Sequence, residues 1–178
     1  MNNLKKIYDE EVKSFLISKY SYANLHQVPK LEKIQISASL GLQAQNKTYL
    51  QKAIEEFRQI SGQQPLITKA KKSIAGFKIR EGMNIGLVVT LRREKMYSFL
   101  EKLIKLVFPR VRDFRGLNKN QFDNCGNYHF GIEDQLAFPE ISYDSVDQKR
   151  GFNISLITSA TTTDEGYSLL KALGFPFN

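Results

Sequence analysis

The chain has 178 residues, with 26 Lys/Arg against 18 Asp/Glu, a net charge of +8, 42% hydrophobic and 25% charged residues. That is globular composition, sufficient for one domain over residues 1–178 that buries about 70% of its unfolded surface without a disulfide or metal staple. One cysteine, Cys125, excludes an intramolecular disulfide and points to a reducing compartment. No apolar run reaches the roughly 18 residues of a membrane span, and MNNLKKIYDEEVKSF has neither the apolar core of a secretory signal nor the acid-poor make-up of a transit peptide.

In chain order, Leu4, Ile7, Tyr8, Val12, Phe15 and Leu16 recur at helical spacing and predict an amphipathic helix over 3–20. LEKIQISASL (31–40) alternates, with Ile34, Ile36, Ala38 and Leu40 on one face and Lys33, Gln35, Ser37 and Ser39 on the other. This is a half-buried strand with a small, hydrogen-bonding outer face. Thr48 to Ser61 is a second helix, with Leu50, Ala53, Ile54, Phe57 and Ile60 inward and Gly62 as its stop. A short strand follows at Leu66–Lys69, and MNIGLVVTLRR alternates again through Ile85, Leu87, Val89 and Leu91. Residues 95–107 form a third helix, stopped by Pro109. Residues 127–130, 135–138 and 151–161 are strand candidates, and Thr163 is the expected N-cap of a last short helix. The order predicts an α+β fold: an antiparallel sheet of split β-α-β type, helices packed on one face, and long basic loops. FPRVRDFRGLNKNQFDNCGNYHFG (108–131) has no helical period and a strand only near its end, a length of loop that is uncommon unless functional.

Charge is unevenly spread. Residues 68–115 hold thirteen Lys/Arg against four acids, while 1–67 hold nine against six and 116–178 four against eight. A basic zone of this kind is either a solvated face or a footprint for phosphates. Its densest part is TKAKKSIAGFKIREG (68–82), too charged for a buried strand and too apolar for a linker. Phe77, Tyr97, Phe114 and Phe122 lie near these cations, most of them at core spacing.

Catalytic patterns are missing: no phosphate loop, dinucleotide fingerprint, HExxH or CxxC occurs. Cys125 and His129 lie four apart, but no orienting third group is identifiable, and two histidines with one cysteine cannot make a structural zinc site. Glu133, Asp134, Asp144 and Asp147 read as a solvated acidic cluster or one paired with a basic partner. A membrane-surface module would need its lysines on an amphipathic helix, whereas here the basic residues fall mostly in a strand and loops. An enzyme, a metal centre and a bound cofactor are therefore not expected.

SGQQPLITKAKKSIAGFKIREGMNIG, VTLRREKMYSFLEKLI, PRVRDFRGL and FPEISYDSVDQKRGF, in this order, resemble the bacterial-type large-subunit ribosomal protein L-five, the binder of 5S rRNA. The resemblance runs from the first helix to the closing FPF. It implies that 5S rRNA meets the polar side of the sheet. Ser37, Gln63 and Thr90 stand at matching positions, with Lys69, Lys71, Lys72 and Arg92 as basic neighbours. It implies that the loop holding Ser73, Gly76, Phe77, Lys78, Ile79, Arg80 and Gly82 reaches the P-site tRNA. It also implies that Arg110, Arg112, Arg115, Lys149 and Arg150 face 23S rRNA or the small-subunit head protein at the intersubunit bridge, among neighbouring central-protuberance proteins. SASLG (37–41) departs from the family's Asn-x-Gly-x-Gly pattern: a serine hydroxyl cannot replace an amide's paired donor and acceptor. That departure leans the expected source towards a plastid rather than a bacterial cytoplasm.

Overall fold

The computed structural model describes residues 3–143, 146 and 148–178. The expected acids Asp144 and Asp147 lie outside them. Five strands, β1 (Leu31–Ser39), β2 (Leu66–Lys69), β3 (Asn84–Leu91), β4 (Tyr128–Ile132) and β5 (Phe152–Thr158), form one open antiparallel sheet in the order β2-β3-β1-β5-β4. Four helices pack with it, giving the α+β class the alternation predicts. They are α1 (3–20), α2 (Lys47–Ser61), α3 (Arg93–Lys102, prolonged by a π turn at Leu103–Val107) and α4 (Thr163–Ala172). The inward side chains of the sheet are Ile34, Ile36 and Ala38 of β1, Leu87, Val89 and Leu91 of β3, and Phe152, Ile154 and Leu156 of β5, all buried.

The residues group into two compact units. The first comprises Met1–Ile34, Leu91–Phe130 and Ser155–Asn178. In α1, Leu4, Tyr8, Val12 and Leu16 are buried at a strict spacing of four. An α-helix turns every 3.6 residues, so such a stripe drifts round the helix unless a wider turn absorbs the difference. The π-helical segment Tyr8–Val12 is that turn. Phe15, which the periodicity also assigns to the core, is instead 49% exposed. The loop over 108–131 is not structureless. Leu117 N–H donates to Pro176 O at 2.8 Å, and Asn178 N–H returns a bond to Leu117 O at 3.1 Å. Asn118 caps a short turn at Lys119–Gln121, and Asp123 accepts from the N–H groups of Cys125 and Asn127. Phe108, Phe114, Phe130 and Phe175 join Phe122, Tyr128, Tyr167 and Phe177 in one aromatic cluster, linked through Tyr128–Phe130 and Phe175–Phe177. The order of this loop thus comes from local caps at Asn118 and Asp123 together with the chain's last residues, neither of which has a helical or strand period. The N-cap of α4 is Thr162, one residue before the expected Thr163, its hydroxyl accepting from Glu165 N–H.

The second unit comprises Gln35–Thr90 and Gly131–Ile154. Helix α2 starts at Asn46, whose side chain accepts from Thr48 N–H, and ends at Gly62 in the left-handed conformation (φ 63°). Its buried Leu50, Phe57 and Ile60 contribute roughly 1.5–3 kcal/mol each by leaving water. Residues 135–138, a strand candidate by sequence, form a 3-10 turn at Gln135–Ala137 instead, because Asp134 caps it by accepting from Leu136 N–H.

Candidate nucleic-acid interface

In the second unit the side of the sheet opposite the helices presents Gln35, Ser37 and Ser39 of β1 and Val88 and Thr90 of β3. β2 adds Leu66 and Thr68, opposite Val88 and Gly86 in register. These side chains are half-buried to exposed, as alternation requires when one face is left open. Gly86 lets two strands close tightly: a Cβ there would sit 2.5 Å from Ala38 O and 3.1 Å from Thr68 Oγ1. Gln63 and Thr90, 27 apart in sequence, are brought together, with Gln63 Nε2 donating to Thr90 O at 3.3 Å. Ser61 sets the approach of Gln63, its hydroxyl accepting from Gln63 N–H at 3.2 Å just after the helix stop. Ser37 is half-buried on β1, and Ser39 is exposed at its end. Lys69, Lys71 and Lys72 are all exposed.

The basic segment 70–83 folds as an irregular extension of the β2–β3 hairpin. Ala70 N–H bonds Met83 O at 2.8 Å, Gly82 N–H bonds Ala70 O at 3.0 Å, and Ile74 and Ile79 exchange bonds of 2.9 and 3.2 Å. Ser73 Oγ accepts from Glu81 N–H at 3.0 Å. The tip turns through Ala75–Phe77 and then Lys78 in the left-handed region, φ 54°. Gly76, Phe77, Lys78, Arg80 and Gly82 are exposed, while Ile79 is half-buried. Phe77, at 67%, is the one exposed ring among the four aromatics considered for stacking; Tyr97 is buried, and Phe114 and Phe122 are half-buried in the aromatic cluster. Met83 Sδ lies 3.1 Å from both Arg80 N and Gln45 Nε2, tying the hairpin base to the turn that follows SASLG.

Two family models cover this chain: "Ribosomal protein L5" matches residues 24–80, and the model of the same ribosomal family's C-terminus matches residues 84–177. The chain belongs to the ribosomal protein L5 family. It is 59% identical over 174 residues to the large ribosomal subunit protein uL5c of Heterosigma akashiwo, covering 98% of this chain and 96% of that one. It is 56% identical over 176 residues to uL5c of Guillardia theta, covering 99% and 97%. Against the large ribosomal subunit protein uL5 of Synechocystis sp. it is 53% identical over 174 residues, covering 98% and 97%. L5 is a structural protein of the large ribosomal subunit and not an enzyme, and such relatives put the chain on a ribosome of a plastid or a bacterial cytoplasm.

The remaining residues expected of an L5 contact surface divide sharply. Arg92, Arg110, Arg112 and Arg115 are exposed in the first unit. Lys149, in the second, is exposed and lies 3.8 Å from Asp134. Arg150, expected to face 23S rRNA or the bridge, is 4% exposed: its guanidinium is ion-paired to Glu56 and lies over the Tyr49 ring, 4.4 Å from the centroid. Burial opposes its charge, but Glu56 and Tyr49 outweigh that and hold it above its ordinary value. Glu56 shares the i, i+3, i+4 stripe of Ala53, Phe57 and Ile60, the one sequence signal of a buried charge that the periodic reading passed over. Nor does Cys125 pair with His129. His129 Nδ1 meets Ser155 Oγ at 2.9 Å, and its Nε2 lies 3.8 Å from Asp123 Oδ2. Asp123 is partly desolvated, yet bonds from Asn127 and Cys125 hold it below the usual carboxylate range. Among the described residues no cluster suits a metal ion.

Proposed function

We propose that this L5-family chain holds 5S rRNA on the open face of the sheet, through Ser37, Gln63 and Thr90 with Lys69, Lys71, Lys72 and Arg92 supplying the charge. The observation that carries the reading is the Gln63–Thr90 hydrogen bond. It fixes the Gln63 amide against the Thr90 main-chain carbonyl, on a face that also carries the Ser37 and Thr90 side chains. Neutral donors and acceptors there fit sugar hydroxyls and base edges, and lysines beside them fit phosphates. Ser37 in place of asparagine offers one hydroxyl only, so more of the binding rests on Gln63 and Thr90.

The hairpin tip, Ser73 to Gly82, is a contact for P-site tRNA. Its closed backbone holds Lys78 and Arg80 in the open beside an uncovered Phe77. Arg110, Arg112, Arg115 and Lys149 serve contacts to 23S rRNA and to the small-subunit head protein at the bridge, next to other central-protuberance proteins. The SASLG departure, with the uL5c relatives, favours a plastid over a bacterial source.

Electrophoretic mobility shift with 5S rRNA, and tRNA as competitor, tests the assignment. The four cations assigned to 5S rRNA give a log–log salt slope of roughly −2.8 to −3.6. Gln63→Ala or Thr90→Ala weakens 5S rRNA binding, whereas Lys78→Glu with Arg80→Glu leaves it largely intact and impairs tRNA-dependent steps. Weak, salt-insensitive binding with no preference for 5S rRNA sinks the reading. Loss of 5S rRNA binding in the Lys78/Arg80 variant sinks the division of labour.

A further inference from the structure

Phe15 breaks the burial pattern of its own helix, and what surrounds it is unlike plain surface. It lines a cavity of about 370 Å³ with Glu11 and Lys19 of α1 and Tyr167, Lys171 and Ala172 of α4, all within the first unit. Two aromatic residues that are only partly covered therefore share one groove. Lys19 is fixed at its rim, Nζ donating to Ser168 Oγ at 2.7 Å. The Tyr167 ring holds two ammonium groups, Lys119 Nζ at 5.5 Å and Lys171 Nζ at 5.6 Å from its centroid. Among the described residues none of these three lysines has a carboxylate partner, and Glu11 has no side-chain partner.

Two lining ammonium groups, Lys19 and Lys171, against one carboxylate call for an anionic occupant. Aromatic rings in the same groove call for a flat, apolar one. A lone carboxylate calls for a donor on that flat body. An acidic peptide meets the first requirement alone; an unpaired nucleotide whose base carries an exocyclic amine meets all three, since bases stack on aromatic side chains and carboxylates accept from such amines. We infer that the groove between α1 and α4 binds one unpaired adenosine or cytidine of an RNA strand. Its base lies against the exposed Phe15 ring, its phosphates on Lys19 and Lys171, and its amine on Glu11. None of these residues belongs to the sheet face or the hairpin assigned above.

The test uses the full chain and fluorescein-labelled hexa-adenylate, hexacytidylate and hexauridylate, read by anisotropy. Wild type binds the adenine and cytosine hexamers about fivefold more tightly than the uracil hexamer, and Glu11→Gln removes that preference. Phe15→Ala, at an exposed position, weakens hexa-adenylate binding about tenfold. Lys171→Gln lowers the log–log salt slope by about 0.7, one single-strand phosphate contact. Gln63→Ala leaves all three affinities unchanged, and Phe15→Ala leaves the 5S rRNA shift unchanged, so this inference stands or fails independently of the sheet-face assignment. Equal binding of the three hexamers by wild type, or equal hexa-adenylate binding by wild type and Phe15→Ala, overturns it. So does displacement of hexa-adenylate by a hexaglutamate peptide more readily than by unlabelled RNA, which gives the groove to an acidic protein segment.

Discussion

Replacing Glu56 should cost more stability than any surface change in this chain. Glu56 is 7% and Arg150 4% exposed, and Glu56 Oε2, Arg150 Nε and Arg150 Nη2 already lack a hydrogen-bond partner. Without the carboxylate, the guanidinium keeps only Tyr49 against the cost of its burial. Breaking one half of a buried pair costs about 3–5 kcal/mol. With a urea dependence of about 2 kcal/mol per molar, the midpoint of Glu56→Leu falls by roughly 1.5–2.5 M. Urea unfolding followed by far-UV circular dichroism reads this directly. Glu56→Leu combined with Arg150→Met removes both charges, and well-packed apolar replacements of a buried pair are often neutral or better, so the double variant recovers most of the loss. A single-variant shift below about 0.5 M, or a double variant worse than the two singles added, refutes the claim that the cost is an orphaned buried charge.

Gly86→Ala forces its new Cβ against Ala38 O, a backbone atom that cannot swing aside, and overpacking of this kind costs about 1–3 kcal/mol, visible as a lower thermal midpoint. Asn46→Ala removes the cap of α2 and costs about 1 kcal/mol by the same measurement. Glu165 is partly desolvated, but hydrogen bonds from Tyr22 Oη (2.7 Å), Thr161 N–H (3.0 Å) and Thr161 Oγ1 (2.9 Å) hold it below the ordinary carboxylate value. A depressed folded-state value gives stability that is present above the unfolded-state pKa and lost as pH falls through the folded one. Wild type therefore exceeds Glu165→Gln in melting temperature at pH 7, and the gap closes below about pH 4; a gap that persists there contradicts the assignment.

The strands and helices were legible because their signals are local. β2 is found at the residues expected, and the inward faces of β1, β3 and β5 follow the period-two alternation. What escaped depends on partners distant in sequence. Phe15 reads as core by spacing, but nothing covers it completely. Gln135 is fully buried because its amide spans Gln148 O and Arg150 N–H, 13 and 15 residues away, which a strand pattern cannot encode. Arg150 stood with the exposed arginines because a family resemblance matches positions and does not register burial. Of the candidate interface, the basic residues were visible as composition and the family positions as resemblance. The Gln63–Thr90 contact, an amide donating to a main-chain carbonyl 27 residues further on, needed the chain to be folded.

β2 is four residues long and lies at the outer edge of the sheet, so one row of its backbone groups meets no further strand. Such an edge invites another chain to add to it. Here Pro65 precedes it, Lys69 closes it, and the register shifts between Thr68 and Lys69. A neighbouring copy would have to pair with an irregular, charged stub beside a dense run of cations. The consequence falls on the interval between synthesis and incorporation into a subunit, when copies of the chain meet one another before they meet RNA. During that interval the edge discourages polymerisation, and the cations that favour RNA keep identical copies apart.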